Sequence, residues 1–214
     1  MLFFSSRILP LDFIDMTDLP AEKKDLRRSV VDRILAMPPE VRAGQERRLV
    51  GALPQLPGYR EAGTVMLYAS AFPEEFDTRP LLESALAEGK RLVCPRVDRK
   101  AGVLRLALVK SLRDDLVPGM LKIPEPAKHC EILEPGEIDW ILVPGIAFDS
   151  QGYRLGRGAG HYDKLLPQLR PEAPRWALAL ESQWLEALPV EPHDVPLDGV
   201  VFPDRRVVRE RTSA

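Results

Sequence analysis

The sequence predicts one α/β domain, a three-layer α/β/α fold whose mostly parallel or mixed sheet is covered by helices on both faces. Several short apolar runs have the length of buried strands, and segments with helical spacing separate them. No internal repeat or low-complexity linker divides the 214 residues. Continuous apolar runs are typical of parallel strands that are buried on both faces, and a chain of this length can bury one sizeable core.

The first twenty residues are predicted to be an extension of the domain and not a targeting segment. They are apolar, but Arg7, Asp12 and Asp15 interrupt each apolar run before it reaches the length of a signal-peptide core. No stretch approaches the roughly 20 apolar residues that a membrane-spanning helix needs. We therefore predict an extension at residues 1–20, the domain at residues 21–205 and a tail at residues 206–214.

Two N-terminal helices are predicted to dock on the sheet. Apolar residues recur with helical spacing at Leu26, Val30 and Ile34, and the prolines at 38 and 39 end this pattern. A second helix is predicted over residues 39–53. A third is expected at residues 80–89, where Thr78 can cap the first turn and a glycine suits the end.

The strands are predicted from compact apolar runs. The predicted strands are residues 64–70, 91–95, 103–109, 139–144 and 175–180, with a last short one at 200–202. Prolines are frequent between residues 118 and 136, so this connection is predicted to lack regular structure.

Composition limits the possible partners. The 30 basic and 32 acidic residues give a formal charge of −2, so no large positive field is available to hold nucleic acid. An anionic ligand must therefore be held by a local arrangement of groups. Cys94 and Cys130 lack the spacing of a metal motif, and two such thiols fit a reducing compartment. We predict a cytoplasmic monomer that binds neither nucleic acid nor membranes.

The glycine-rich segment at residues 154–164 is the strongest functional signal in the chain. Every second residue from 156 to 160 is glycine, so the backbone can turn sharply and approach a ligand closely. The N–H groups there and at the start of the following helical pattern form a site for phosphate, and Arg154 and Arg157 can add charge-assisted contacts. The spacing matches neither a P-loop nor a dinucleotide-binding fingerprint. A plain glycine-rich turn is the alternative.

Asp163 directly follows this loop. A carboxylate beside a phosphate site repels the phosphate unless a cation lies between them. Mg²⁺ typically binds through one or two carboxylates together with substrate phosphates, which predicts a magnesium site here. The alternative is a carboxylate that only offsets the dipole of the helix start.

Further motifs occur in order along the chain. They are residues 23–27 (KKDLR), 75–78 (EFDT), 123–126 (IPEP), 143–149 (VPGIAFD), 154–158 (RLGRG), Gly160, Tyr162-Asp163 and 194–198 (DVPLD). Together they resemble the 5-formyltetrahydrofolate cyclo-ligase family, also called 5,10-methenyltetrahydrofolate synthetases, over roughly residues 21–203. The glycine loop is specific to this family, whereas the other motifs gain weight from their joint order.

The resemblance implies a three-layer α/β fold and an ATP-dependent reaction. In this family 5-formyltetrahydrofolate is converted to 5,10-methenyltetrahydrofolate, with ADP and phosphate as the other products. ATP phosphorylates the formyl oxygen, N10 attacks the activated carbon, and phosphate leaves. Phosphoryl transfer needs positioned cations more than a covalent nucleophile, which fits the arginines, lysine and carboxylates of these motifs.

The resemblance also implies residue roles. ATP contacts are expected from Lys23, Lys24, Arg27, Arg154, Leu155, Gly156, Arg157, Gly158, Ala159, Gly160, His161 and Tyr162. Folate contacts are expected from Glu75, Arg157, Gly158, Gly160 and His161. Asp163 and Asp194 are expected to hold Mg²⁺, and Arg157 and Lys23 to be catalytic.

The chain departs from the family pattern at three places. His161 stands where the family commonly has Tyr or Phe, and Ala159 where many members have Lys or Gly. The length of the loop at residues 70–75 leaves Glu74 as an alternative to Glu75. Two other functions stay open: a non-catalytic relative that binds reduced folate or nucleotide, and an ATP-dependent enzyme of the same fold with another small substrate.

Overall fold

The computed structural model of the protein describes residues 19–119 and 123–209. The predictions for residues 1–18 and 210–214 lie outside the described residues. The helices are α1 (Leu19–Leu35), α2 (Pro39–Ala52), α3 (Arg79–Ala87), α4 (Leu112–Asp115) and α5 (His161–Leu165). The strands are β1 (Thr64–Met66), β2 (Arg91–Asp98), β3 (Val103–Val109), β4 (Leu116–Pro118), β5 (Pro124–Pro126), β6 (Ile132–Leu133), β7 (Trp140–Leu142), β8 (Ala147–Phe148), β9 (Arg154–Leu155), β10 (Arg175–Leu178), β11 (Gly199–Val201) and β12 (Arg206–Val208).

An eight-stranded sheet with the order β12-β11-β10-β7-β1-β2-β3-β6 forms the centre of the fold. Its five middle strands, from β11 to β2, are parallel. β12 pairs antiparallel with β11 at one edge, and at the other edge β3 pairs antiparallel with β2 and β6 with β3. The chain leaves β1 toward β2 on one side and later returns to the other side of β1 through β7. The strand order therefore reverses between β1 and β7, and in open α/β sheets ligands bind beyond the carboxyl ends of strands at such a point.

Alternating side chains of the middle strands divide the core into two layers. Trp140 and Leu142 of β7 pack with residues of α1, α2 and α3 on one face of the sheet. Ile141 packs on the other face with Leu165 of α5 and Leu166 of the turn after it. The period of two in strand side chains produces this division, and the predicted three-layer class is confirmed.

The structure differs from the prediction at Thr78. This residue precedes α3, but its side chain makes no capping hydrogen bond to the helix. Its hydroxyl donates to the Tyr68 carbonyl at 2.7 Å and accepts the Ser70 N–H at 2.9 Å, fully buried. Thr78 therefore stabilises the loop after β1 instead of the helix start.

The proline-rich connection contains short regular segments that the sequence did not predict. β4 and β5 form a two-stranded antiparallel ribbon, and β6 pairs with β3 at the sheet edge. Prolines are tolerated there because edge strands need fewer N–H donors. β12 lies within the predicted tail and pairs with β11, so the sheet extends to Val208. Within the described residues, no helix is long and apolar enough to span a membrane.

Candidate active site

A cavity of about 260 Å³ lies at the carboxyl ends of β1 and β7. Its lining includes α1 with Lys23 and Arg27, the loop after β1 with Glu74 and Glu75, residues 144–146 after β7, the glycine-rich loop at residues 154–163, Gln183, and the segment with Glu191, His193 and Asp194. The location agrees with the reversal of strand order, where loops from neighbouring strands diverge and leave a crevice.

The backbone of the glycine-rich loop is shaped for a close approach by a ligand. Gly158 and Gly160 have φ angles of 98° and 64°, which L side chains rarely adopt. A Cβ added at residue 156 or 160 would meet nothing within 4 Å, so the backbone faces open space there. Arg27 holds the loop through a 2.7 Å hydrogen bond from Nε to the Gly156 carbonyl.

Arg154 is a buried cation at one wall of the cavity. Its Nη1 and Nη2 both lie 3.0 Å from Oδ1 of Asp163, and its side chain is only 3% exposed. Burial lowers its pKa, but a guanidinium remains charged in proteins. Within the described part of the chain, its Nε is buried and has no hydrogen-bond partner. An unmatched buried donor of this kind favours an anionic group nearby.

Arg157 connects the glycine-rich loop to the loop after β1. Its Nη2 lies 2.7 Å from Glu74 Oε1 and 3.2 Å from Glu75 Oε1. Its guanidinium also stacks 3.7 Å above the centroid of the Phe72 ring, a favourable cation–π position. Both candidate folate-binding acids therefore contact the same arginine.

Glu75 is held in place by the backbone around it. Its Oε2 accepts the N–H groups of Ala71 at 2.8 Å and Phe72 at 3.2 Å. Arg42 of α2 donates to the carbonyls of Pro73 and Glu75, so the helical layer supports this loop. Among the described residues, the Glu74 carboxylate accepts no backbone N–H, and its hydrogen bond from Arg157 positions it.

Lys23 forms the centre of a buried charge cluster. Its Nζ lies 2.6 Å from Glu191 Oε2 and 2.8 Å from Asp194 Oδ2, and its side chain is 10% exposed. Burial lowers the pKa of Lys23, but hydrogen bonds to Asp194 and Glu191 outweigh it and raise the pKa overall. Burial likewise raises the pKa of Asp194, yet Lys23 and the Glu191 N–H lower it overall. Both groups are therefore charged at neutral pH.

The acidic side of this cluster fits a divalent cation. Ligand atoms of Glu191, His193 and Asp194 lie within 4.8 Å of one another. Asp163 is close to this group, since its Oδ1 lies 3.5 Å from the N–H nitrogen of Val195. Mg²⁺ prefers carboxylate oxygens, and the two acids of the cluster can supply them once Lys23 moves aside. The sequence predicted Asp194 but missed Glu191, although the spacing of two acids three residues apart beside a proline was a signal.

The two titratable residues where the loop enters α5, His161 and Tyr162, are both uncharged at neutral pH. Burial and the nearby Lys164 lower the pKa of His161, so this imidazole is neutral at pH 7. Burial raises the pKa of Tyr162, whose ring lies 5.9 Å from the Arg154 guanidinium carbon. Both residues line the cavity, as does Ala159.

Two predicted ATP contacts, Lys24 and Leu155, differ from the others in their position relative to the cavity. Lys24 is exposed and is absent from the cavity lining, because one residue along α1 rotates a side chain by about 100° away from Lys23. Lys23 and Arg27, four residues apart, share the face that reaches the cavity. Leu155 lines the cavity but is 3% exposed and packs in the core, so only its backbone can face a ligand.

Comparison with known proteins gives a consistent result. The profile of the 5-formyltetrahydrofolate cyclo-ligase family matches residues 20–203. The 5-formyltetrahydrofolate cyclo-ligase of Mycolicibacterium smegmatis is 32% identical over 197 residues, which cover 90% of this chain and 99% of the relative. The enzyme of that name from Escherichia coli K12 is 33% identical over 188 residues, covering 87% and 92%.

A solved structure shows the same fold. The 5,10-methenyltetrahydrofolate synthetase of Aquifex aeolicus superposes with a TM-score of 0.77 at 31% identity, covering 90% of this chain and 95% of that one. The family profile extends from α1 to the last residues after β11 and includes every segment that lines the cavity. The chain therefore belongs to the 5-formyltetrahydrofolate cyclo-ligase family.

Proposed function

We propose that this protein closes the ring of 5-formyltetrahydrofolate to 5,10-methenyltetrahydrofolate, using ATP with Mg²⁺ and releasing ADP and phosphate. One observation carries the proposal: the open glycine backbone, the cations Lys23, Arg27, Arg154 and Arg157, and a cluster of acids line one cavity. This combination suits a metal-bound polyphosphate, and relatives of similar length bear the name of this activity.

The phosphates of ATP are proposed to bind the loop at residues 154–162 together with Lys23 and Arg27. The backbone faces open space at Gly156 and Gly160, and the Arg27 guanidinium lies beside Gly158, so the N–H groups of this loop can donate to phosphate oxygens together with Arg27. Arg157 is the more exposed of the two loop arginines, with 39% of its side chain exposed, so it can exchange its contacts with Glu74 and Glu75 for a contact with the phosphoryl group. Its planar guanidinium can then stabilise the charge of the transferring group.

Asp194 and Glu191 are proposed to hold Mg²⁺, with Asp163 beside them. A bound Mg²⁺ would neutralise part of the phosphate charge. Lys23 is proposed to change partners when ATP binds, since its ammonium can move from the carboxylates to a phosphate oxygen. Arg154, fixed by Asp163, keeps positive charge at the wall of the site.

The folate is proposed to bind between the loop after β1 and the start of α5. Carboxylates accept hydrogen bonds, so Glu75 or Glu74 can bind the donor groups of the pterin ring. The neutral His161 can stack on the substrate without adding positive charge. Phosphorylation converts the formyl oxygen into a leaving phosphate, N10 attacks the formyl carbon, and departure of phosphate leaves the methenyl bridge.

The compartment and the assembly are parts of the same proposal. Cys94 and Cys130 are free thiols, which agrees with a reducing cytoplasm. The expectation of a monomer and the question of a polyglutamate tail on the substrate stay predictions.

The decisive assay mixes the purified protein with 5-formyltetrahydrofolate, ATP and Mg²⁺ and follows the near-ultraviolet absorbance of the methenyl product. Lys23→Met should lose most of the rate, whereas Lys24→Met, one residue away but outside the cavity, should retain it. Tight folate binding without product would support the sequestering relative instead. Neither binding nor product would indicate another substrate.

A further inference from the structure

A second compact group of metal-binding side chains lies apart from the cavity. Asp115 is the last residue of α4, and His129 and Cys130 lie in the turn between β5 and β6. One ligand atom from each lies within 4.8 Å of the other two. Among the residues that the structure describes, the only other such trio is the one at Glu191 in the candidate active site.

The carboxylate of Asp115 is already oriented by its surroundings. Its Oδ2 accepts the backbone N–H groups of Lys110 at 2.7 Å and Ser111 at 2.9 Å. These bonds point Oδ1 at Nε2 of His129, 2.8 Å away. The Cys130 sulfur lies 3.8 Å from the backbone carbonyl of Asp115, on the buried side. Supporting hydrogen bonds of this kind are typical of ligands at metal sites.

We propose that Asp115, His129 and Cys130 form a binding site for Zn²⁺ or a similar thiophilic divalent cation. Zn²⁺ binds carboxylate oxygen, imidazole nitrogen and thiolate sulfur at about 2.0–2.3 Å, whereas Mg²⁺ and Ca²⁺ select oxygen ligands. Three protein ligands leave a fourth position for water. The His129 side chain is 64% exposed, so solvent can reach the site and the imidazole can rotate to adjust the geometry.

Metal binding replaces the S–H bond of Cys130 and the hydrogen bond between Asp115 and His129 with bonds to the metal. Burial and the Asp115 carboxylate raise the pKa of Cys130, so the group is a thiol before the metal arrives. On binding, its proton passes to solvent and a sulfur–metal bond takes the place of S–H. His129 binds through Nε2 as the neutral imidazole. The ion would then tie the turn before β6 to the end of α4.

Cobalt provides a spectroscopic test, because thiolate–Co²⁺ bonds absorb in the near ultraviolet and carboxylate or imidazole bonds do not. The full-length protein is freed of metals with a chelator, dialysed and titrated with Co²⁺, and then with Zn²⁺ in competition. We expect the thiolate band to saturate at about one equivalent per chain and Zn²⁺ to abolish it. Zn²⁺ should also raise the melting temperature, because it binds the folded state.

Three variants distinguish a site with three protein ligands from metal binding by a single thiol or by the other trio. Cys130→Ser should remove the band, and His129→Ala should weaken Co²⁺ binding by at least about tenfold. His193→Ala is the matched control, since His193 is also 64% exposed and adjoins an aspartate in the other trio. It should leave the band unchanged. Absence of the band in the wild-type protein would overturn the proposal, as would an unaltered titration of His129→Ala, which would indicate a lone thiol.

Discussion

Replacing Lys23 with methionine should destabilise the metal-free protein by about 3 kcal/mol. The ammonium of Lys23 is buried between the carboxylates of Glu191 and Asp194, at 2.6 and 2.8 Å. Methionine keeps an unbranched apolar stem and removes only the charge. Two carboxylates then remain close together with no cation between them.

The magnitude follows from two estimates that agree. Removing one partner of a buried ion pair costs about 3–5 kcal/mol, because the charge left behind stays desolvated. The Glu191 side chain is 31% exposed, so solvent screens part of this loss and the lower end applies. Independently, one oxygen of each carboxylate lies within 4.8 Å of the other, and two unit charges at that distance repel each other by about 3.5 kcal/mol at an effective dielectric constant of about 20.

Urea unfolding with tryptophan fluorescence measures the effect, using the three tryptophans of the chain. Lys24→Met controls for loss of a lysine on α1 and should change the free energy of unfolding by no more than about 0.5 kcal/mol. A double-mutant cycle with Asp194→Asn should show a coupling above about 1 kcal/mol. Mg²⁺ should stabilise Lys23→Met more than the wild type, because it replaces the lost charge. Additive losses, or an equal effect of Mg²⁺ on both proteins, would refute the shared-charge reasoning.

Three other predictions address the proposed reaction and the charge cluster. Asp163→Asn should lower the rate of methenyl formation by about 10- to 100-fold, because it removes the carboxylate that holds Arg154. It should also raise the Mg²⁺ concentration needed, because Asp163 lies beside the proposed metal site. Initial rates at increasing Mg²⁺ concentrations measure both effects. Arg157→Ala should lower kcat by about 10²–10³, with partial recovery in Arg157→Lys, since lysine keeps the charge but not the planar fork; normal kcat in the alanine variant contradicts this. The pKa of Asp194 is lowered in the folded state, so its carboxylate stabilises the protein above the unfolded-state pKa of about 3.9, and this stabilisation is lost as the pH falls through the folded-state pKa. The difference in free energy of unfolding between wild type and Asp194→Asn should therefore shrink on acidification, and a widening would contradict this.

Local patterns of the sequence were sufficient to predict that the glycine-rich loop belongs to the candidate site. Glycine spacing, the flanking arginines and the preceding apolar strand all lie within a short stretch, and each acts through neighbours in the chain. The loop at residues 154–163 lines the cavity as predicted. The strand positions were also predictable, because burial on both faces leaves continuous apolar runs.

The partners of these residues could not be predicted from local patterns. Lys23 is 168 residues from Glu191, and Arg157 is 83 residues from Glu74. Such contacts depend on the order of the strands and on the packing of α1, which no single motif encodes. The misplaced role of Thr78 has the same origin, since a buried carbonyl of Tyr68 competes with the helix start for its hydroxyl. The resemblance implied an ATP contact for Lys24 as well as for Lys23, but a helix directs neighbouring side chains apart.

The reversal of strand order explains why distant segments with opposite charges meet in one place. Loops that leave β1 and β7 diverge at their carboxyl ends, and the crevice between them is open to α1 from one layer and to α5 from the other. Without ligands, Lys23 and Arg157 pair with acids from other segments, so the charges of both sides are mutually neutralised. A metal-bound nucleotide carries both signs and can take over both sets of contacts at once. The ion pairs of the free protein therefore stand where the cation and the phosphates are proposed to bind, so the proposed binding of ATP requires Lys23 and Arg157 to exchange partners.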